Sequence, residues 1–279
     1  DQPETLRATG RLLQGSDTFR AFLAMQRLKE MGEADSDDLR LFARLAQNIR
    51  KTHLAETVTQ RLLKLEPKNP DNLFLEARKL FLNFRGIETL ARTTSILANW
   101  PTHRPTRLLQ ARLLTLRPEL VPRIQGKIEL KELAEEKKDR VGLEALLVLA
   151  YSGLNPVEEA EHKATLRQII NHPLASDHLK LRAFGDAHGP QDIQDDTLAQ
   201  LLKHYGGRPE LLGPWLANLG RFEEAANLFS LEQAKQRPEL FHSWLGVLMH
   251  RSPILRIKRS NEAERILTQA QGKITEAQH

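Results

Sequence analysis

No cysteine occurs in the 279 residues, which excludes a disulfide framework, a thiolate metal site and a cysteine nucleophile together. Aromatic residues make up only 5%, and the alternation of Val, Ile and Thr with polar residues that marks half-buried strands is nearly absent. The longest apolar run, which takes in Leu146 to Tyr151, falls far short of the ~18 residues a spanning helix needs, so no membrane span is expected and the chain reads as soluble. The Gly-x-Gly-x-x-Gly and Gly-x-x-x-x-Gly-Lys-[Ser/Thr] phosphate loops, the Gly-x-Ser-x-Gly elbow and the His-Glu-x-x-His zinc signature are missing too. With them go the usual sequence grounds for an enzyme, a cofactor or a metal. No signal peptide is visible, and the first residue is Asp1 and not Met, which leaves the compartment open and leaves room for a removed signal, anchor or neighbouring domain.

What is present is rich in leucine, alanine and charge, a helix-forming composition that points to an all-α fold. Leu41-Phe42-Ala43-Arg44 returns as Leu75-Glu76-Ala77-Arg78 and as Leu109-Gln110-Ala111-Arg112, 34 residues apart both times. Leu143-Glu144-Ala145-Leu146 falls in the same phase without the arginine. A fixed period of this length marks a repeat array. It accommodates two helices of about 12 to 14 residues and two short turns, and each helix pair buries its apolar face only against its neighbours.

Taken in order, residues 3–31 read as a first helix pair, with Ser16 as N-cap, Phe19, Phe22, Leu23 and Leu28 as its apolar stripe and Gly32 as its end. Helices follow over 37–50 behind Ser36, 53–65 stopped by Pro67, 71–83 opened by Asn69-Pro70, 87–98 after a turn at Gly86, and 106–116. A charged helix at 122–138 reads as a solvated face, and 141–152, the most apolar stretch, as the centre of the core. Asn155-Pro156 opens the next helix. The period slips across 118–208, with 171–207 as a candidate hinge or boundary. It recovers in helices near 209–218, 222–235, 239–250 and a capping helix 261–277. The expectation is one continuous array: regular repeats over 1–117, an irregular middle over 118–208, and repeats with a cap over 209–279.

Leu39, Phe42, Ala43, Ala46, Ala55 and Pro67, then Leu73, Ala77, Leu80 and Pro101, follow one layout. Gly220-Arg221-Phe222-Glu223-Glu224-Ala225 with Phe229 supplies a turn and second helix of the same kind. This pattern resembles the tetratricopeptide repeat, with Thr59 and Thr93 where that family places an aromatic and Glu76 where it places an apolar residue. The resemblance implies a right-handed α-α superhelix of about eight helix pairs, whose first helices line a concave groove that holds a partner peptide. By that resemblance Arg40, Arg44, Gln47, Asn48, Phe74, Arg78, Phe81, Leu108 and Arg112 are the groove residues.

Charge sharpens the expectation. Lys and Arg number 20 against 13 Asp and Glu up to residue 117, and 21 against 23 beyond it, so the basic front half favours an acidic partner. Guanidinium grips carboxylates with paired hydrogen bonds. The plainer reading of the three repeated arginines is solvation or pairing with Glu76 and other acids nearby. The function expected is a non-enzymatic protein–protein interaction module that binds a peptide or acidic segment. The alternative is a structural or assembly module that docks through its convex face or end repeats. Glu159-Ala160-Glu161-His162 and Glu239-Leu240-Phe241-His242 have the Glu-x-x-His spacing of di-metal bundles, without the partner glutamates. Arg251, Arg256, Lys258 and Arg259 form a basic cluster without interleaved aromatics, so no nucleic acid is expected.

Overall fold

The computed structural model describes residues 2–15, 17–136, 139–152, 159–188, 195–228 and 233. Every regular element among them is an α-helix. The helices are α1 (Pro3–Leu13), α2 (Thr18–Glu30), α3 (Ser36–Asn48), α4 (Thr52–Leu65), α5 (Pro70–Leu82), α6 (Gly86–Asn99), α7 (Arg104–Thr115), α8 (Leu120–Ala134), α9 (Arg140–Tyr151), α10 (Glu159–Ile170), α11 (Asp177–His188), α12 (Asp195–Tyr205), α13 (Pro209–Asn218) and α14 (Phe222–Asn227). The period is visible in where they begin. α2, α4, α6 and α8 start at 34-residue steps, as do α3, α5 and α7.

Helix starts follow capping chemistry. Asp17 accepts from the Arg20 N–H and caps α2, whereas Ser16 lies outside the described residues. Asp35, not Ser36, caps α3 in a reciprocal box with Asp38. Asn69 caps α5 ahead of Pro70, and Asp139 caps α9 through the Gly142 N–H. The turn between the two helices of a pair is the same motif three times. Arg50, Phe84 and Gly220 stand at φ 59°, 58° and 76°. The N–H groups of Lys51, Arg85 and Arg221, each one residue further on, bond back to the carbonyls of Ala46, Leu80 and Leu216 at 2.8, 3.0 and 2.9 Å. These are Schellman closures, which satisfy carbonyls left open at a helix end. Gly86 is therefore the first residue of α6, and the left-handed position of that turn belongs to Phe84.

The chain divides into two compact units, one of residues 1–165 with 172–176, the other of 166–171 with 177–279. In the first, each helix from α1 to α9 packs on the next, and α1, α3, α5, α7 and α9 also touch in succession, forming a layer of first helices. Ala43, Ala77, Ala111 and Ala145 have no exposed surface, which is what lets these backbones approach. Leu62, Ile96 and Leu130, again 34 apart, are at most 1% exposed and hold the second helices against that layer. A buried cluster joins α2 to α5, with Phe22 and Phe42 stacked at 5.2 Å between centroids. α9 buries Gly142, Leu143, Ala145 and Leu146. In α2 the buried side is Ala21, Phe22, Met25 and Leu28, while Phe19 and Leu23 face solvent. α8 is not simply a solvated face, because Leu130, Leu133 and Ala134 are buried. Thr59 and Thr93 are buried with their hydroxyls donating to carbonyls of their own helices.

Polar links tie each repeat to the next. Buried Asp38 accepts from Arg7 at 2.8 Å, and Asn72 accepts from Arg40 at 2.9 Å while donating to the Leu62 and Glu66 carbonyls. Arg104 bonds Asp139 at 2.6 Å. In the second unit α11, α12 and α14 pack on α13, where Trp215 is buried and its indole N–H donates to the Leu181 carbonyl at 2.6 Å. The helices expected at 239–250 and 261–277, Asn155-Pro156, His242 and the basic cluster at 251–259 lie outside the described residues.

Candidate functional site

α3, α5, α7 and α9 present one face in common, because residues at i, i+4 and i+7 or i+8 of a helix share a side. Between α5, α7 and α9 lies a cavity of about 370 Å³ lined by Phe74, Arg78, Phe81, Leu108, Arg112, Glu144, Leu147, Val148 and Tyr151 among others. A larger groove of about 940 Å³ opens beside it at the ends of the first helices, where Gln47, Asn48, Arg50, Phe84, Ile87 and Leu116 contribute. Phe81 and Arg112 line both. Of the nine residues named from the sequence, seven line one or both spaces. Arg40 and Arg44 line neither.

Arg40 is occupied structurally. Its guanidinium bonds Asp37 and Glu66 and donates to Asn72, which leaves the side chain 14% exposed. The repeated arginines behave otherwise. Most arginines of α1–α9 have a carboxylate within ion-pair distance, such as Arg7 with Asp38, Arg92 with Glu76, and Arg107 with Glu129 and Glu132. Glu76 is thus engaged by Arg92. Arg78 donates only to amide oxygens, Gln47 Oε1 at 2.7 Å and Asn48 Oδ1 at 2.5 Å. Gln47, buried, is fixed in turn by donating to the Leu75 carbonyl at 2.9 Å. Arg112 lies 4.9 Å from the Phe81 ring centroid, a cation–π contact without a carboxylate. Arg44 makes no hydrogen bond or ion pair among the described residues.

These charges sit close enough to disturb one another. The enclosing walls push Arg78 below the ordinary guanidinium range, and Arg44, Arg112 and Arg140 push the same way against Glu144. Arg44 is lowered by desolvation and then by Arg140, opposed by Asp71 and Glu144. Arg44 keeps solvent-accessible surface, so its desolvation comes from the walls around it and not from coverage. Arg44 and Arg78 keep their charge all the same, since a guanidinium does not deprotonate in a protein. The shifts reflect desolvation first and the positive charge of neighbouring arginines second.

α9 brings residues the repeat pattern did not single out. It begins 36 residues after α7 where the period calls for 34. Leu143 and Ala145 are buried as Leu109 and Ala111 are, so the 34-residue register holds within α9; Leu146, at the place of Arg112, is buried, and Val148 lines the cavity instead. Arg140 pairs with Glu144 at 3.0 Å on the same helix. A β-carbon added at Gly15 would stand 3.4 Å from the Arg140 guanidinium, so this side chain reaches toward the turn between α1 and α2. The sequence signal was the fourth echo, in which Glu144 already appeared.

A hydroxyl–imidazole–carboxylate line does exist, with Thr106 Oγ1 at 2.7 Å from His103 Nδ1 and Asp71 Oδ1 at 3.3 Å from His103 Nε2. Thr106 has no exposed surface, so its hydroxyl meets no substrate, and the line serves the start of α7. Glu159 and Glu161 of the first Glu-x-x-His stretch pair with Lys163 and with Lys127 and Lys131. Among the described residues no three potential metal ligands stand together, and no helix is long and apolar enough to cross a membrane. No protein-family model matches the chain, and no curated protein matches it either.

Proposed function

We propose that the chain is a tetratricopeptide-like right-handed superhelix that acts as a non-enzymatic interaction module, holding an acidic segment of a partner protein against the face of its first helices. The observation that carries this is the contrast in pairing. Arg44, Arg78 and Arg112, at one repeat position, lack carboxylate partners in a unit whose other arginines mostly have them. A peptide carboxylate would complete them with charge-assisted bonds of about 1.5–3 kcal/mol each. Gln47 and Asn48 position Arg78 in advance, so less conformational freedom is lost on binding. Side chains, with little backbone pairing, would give recognition its specificity.

The test is an affinity purification from the native source with the chain and its Arg44→Glu, Arg78→Glu, Arg112→Glu variant, bound proteins being identified by mass spectrometry. A partner retained by the chain and lost by the variant supports the reading. Identical partners for both overturn it.

A second reading, as an assembly module, draws on α8. Leu120, Ile124 and Ile128 recur at i, i+4 and i+8, and with Val121 they are between 48% and 65% exposed, an apolar stripe of the kind that marks a docking face. Light scattering that shows a larger species for the chain than for its Leu120→Ser, Ile124→Ser, Ile128→Ser variant would favour this reading.

A further inference from the structure

The larger groove carries a signal that the arginine ladder does not. In the repeat of α3 and α4 the turn residue and two positions in the first two turns of the second helix are Arg50, His53 and Glu56. In the next repeat, 34 residues on, they are Phe84, Ile87 and Leu90. The backbone is the same in both, down to the left-handed residue at the turn, so the fold does not require apolar side chains there. Yet Phe84 is 95% exposed and Ile87 77% exposed, and Leu116 of the same groove is 59% exposed. Apolar surface held in water at a strained position marks a contact surface.

We propose that this groove receives large apolar side chains of the same segment whose acidic side chains meet the arginines, so that the ligand is an amphipathic stretch of another protein, apolar at one end and acidic at the other. The proposal rests on the reading of the arginine face as a binding site. Continuity supports it, because Arg112 and Phe81 line both spaces. Charge supports it too. Arg50 and Arg112 line the groove without carboxylate partners among the described residues, and its one acid, Glu56, is neutralised by Lys79. A concavity of about 940 Å³ suits inserted side chains, whereas a bilayer is met by a protruding edge.

A phage-displayed library of random 16-residue peptides, selected on the full chain, tests this. The best synthetic peptide is then titrated by fluorescence polarisation against the chain, a Phe84→Gly, Ile87→Ser variant and an Arg44→Glu, Arg78→Glu variant. The expected result is enrichment of Asp or Glu together with large apolar residues. Affinity should fall at least tenfold in both variants, while the thermal midpoint of the Phe84→Gly, Ile87→Ser variant is unchanged or raised, because glycine accepts the left-handed turn. Acidic peptides without apolar enrichment that bind the Phe84→Gly, Ile87→Ser variant normally overturn this inference and leave the arginine reading standing. Peptides indifferent to Arg44→Glu, Arg78→Glu overturn both. Absence of any enriched peptide, combined with Phe84-dependent sedimentation on phosphatidylcholine–phosphatidylserine vesicles, would make the surface a lipid contact and overturn the proposal.

Discussion

At the scale of single residues, the left-handed Arg50 and Phe84 show how local strain competes with chain entropy. A side chain in that conformation costs about 1–2 kcal/mol, and glycine gives back about 0.5–1 kcal/mol through its freer unfolded chain. Arg50→Gly, at φ 59°, is therefore expected to stabilise by about 0.5–1 kcal/mol. Urea unfolding with an unchanged slope would check it. Gly220→Ala, at φ 76° in the equivalent turn, should act in the opposite direction by a similar amount. Asp38 is the contrasting case. Buried, capping α3 and bound by Arg7 and Arg11, it has no substitute acceptor, so Asp38→Ala should cost about 3 kcal/mol.

At the scale of helices, close approach outweighs helix propensity. Alanine is better than glycine in a helix by about 1 kcal/mol, and Gly126 lies within α8. A β-carbon there would stand 2.6 Å from the Ala111 carbonyl oxygen, a backbone atom that cannot step aside. Gly126→Ala should therefore destabilise by roughly 2 kcal/mol, the scale of overpacking. A measured gain in stability would mean that α7 and α8 are not in this contact. The N-terminal part of α10 depends on charge instead. Glu161 bonds Lys131 and Lys127 of α8, which holds its carboxyl below the usual carboxylate range of about 4.5. A depressed carboxylate contributes stability that is present above the unfolded value and lost as pH falls through the folded one. Amide exchange in α10 should accordingly accelerate as pH drops below about 4.5, after correction for intrinsic exchange, and Glu161→Gln should flatten that dependence.

At the scale of the whole molecule, charge is unevenly placed, with the excess of Lys and Arg confined to residues up to 117. An acidic partner would be steered toward that part over roughly a Debye length, ~10 Å at 0.1 M salt. Association rates should fall by about tenfold between 50 and 500 mM NaCl, with dissociation changed less, in stopped-flow measurements on the selected peptide. A salt-independent rate would place recognition in the apolar groove alone.

The sequence by itself determined the all-helical character, the 34-residue step and the common position of Arg44, Arg78 and Arg112, because helix propensity and apolar spacing are local and a repeat copies them. The resemblance to the tetratricopeptide repeat, read from the sequence, further implied that Phe74, Phe81 and Leu108 belong with those arginines. The tertiary structure decided what depends on neighbours distant in the chain. It assigned Arg40 to Glu66 and Asn72, left Arg44 without a carboxylate, and in α9 buried Leu146 while placing Val148 at the cavity. It also decided which cap candidate closes a helix, Asp35 and not Ser36, because only one oxygen meets the free N–H. Pairing and burial are properties of contacts between repeats, and a one-dimensional pattern states which residues are equivalent without stating what each one meets.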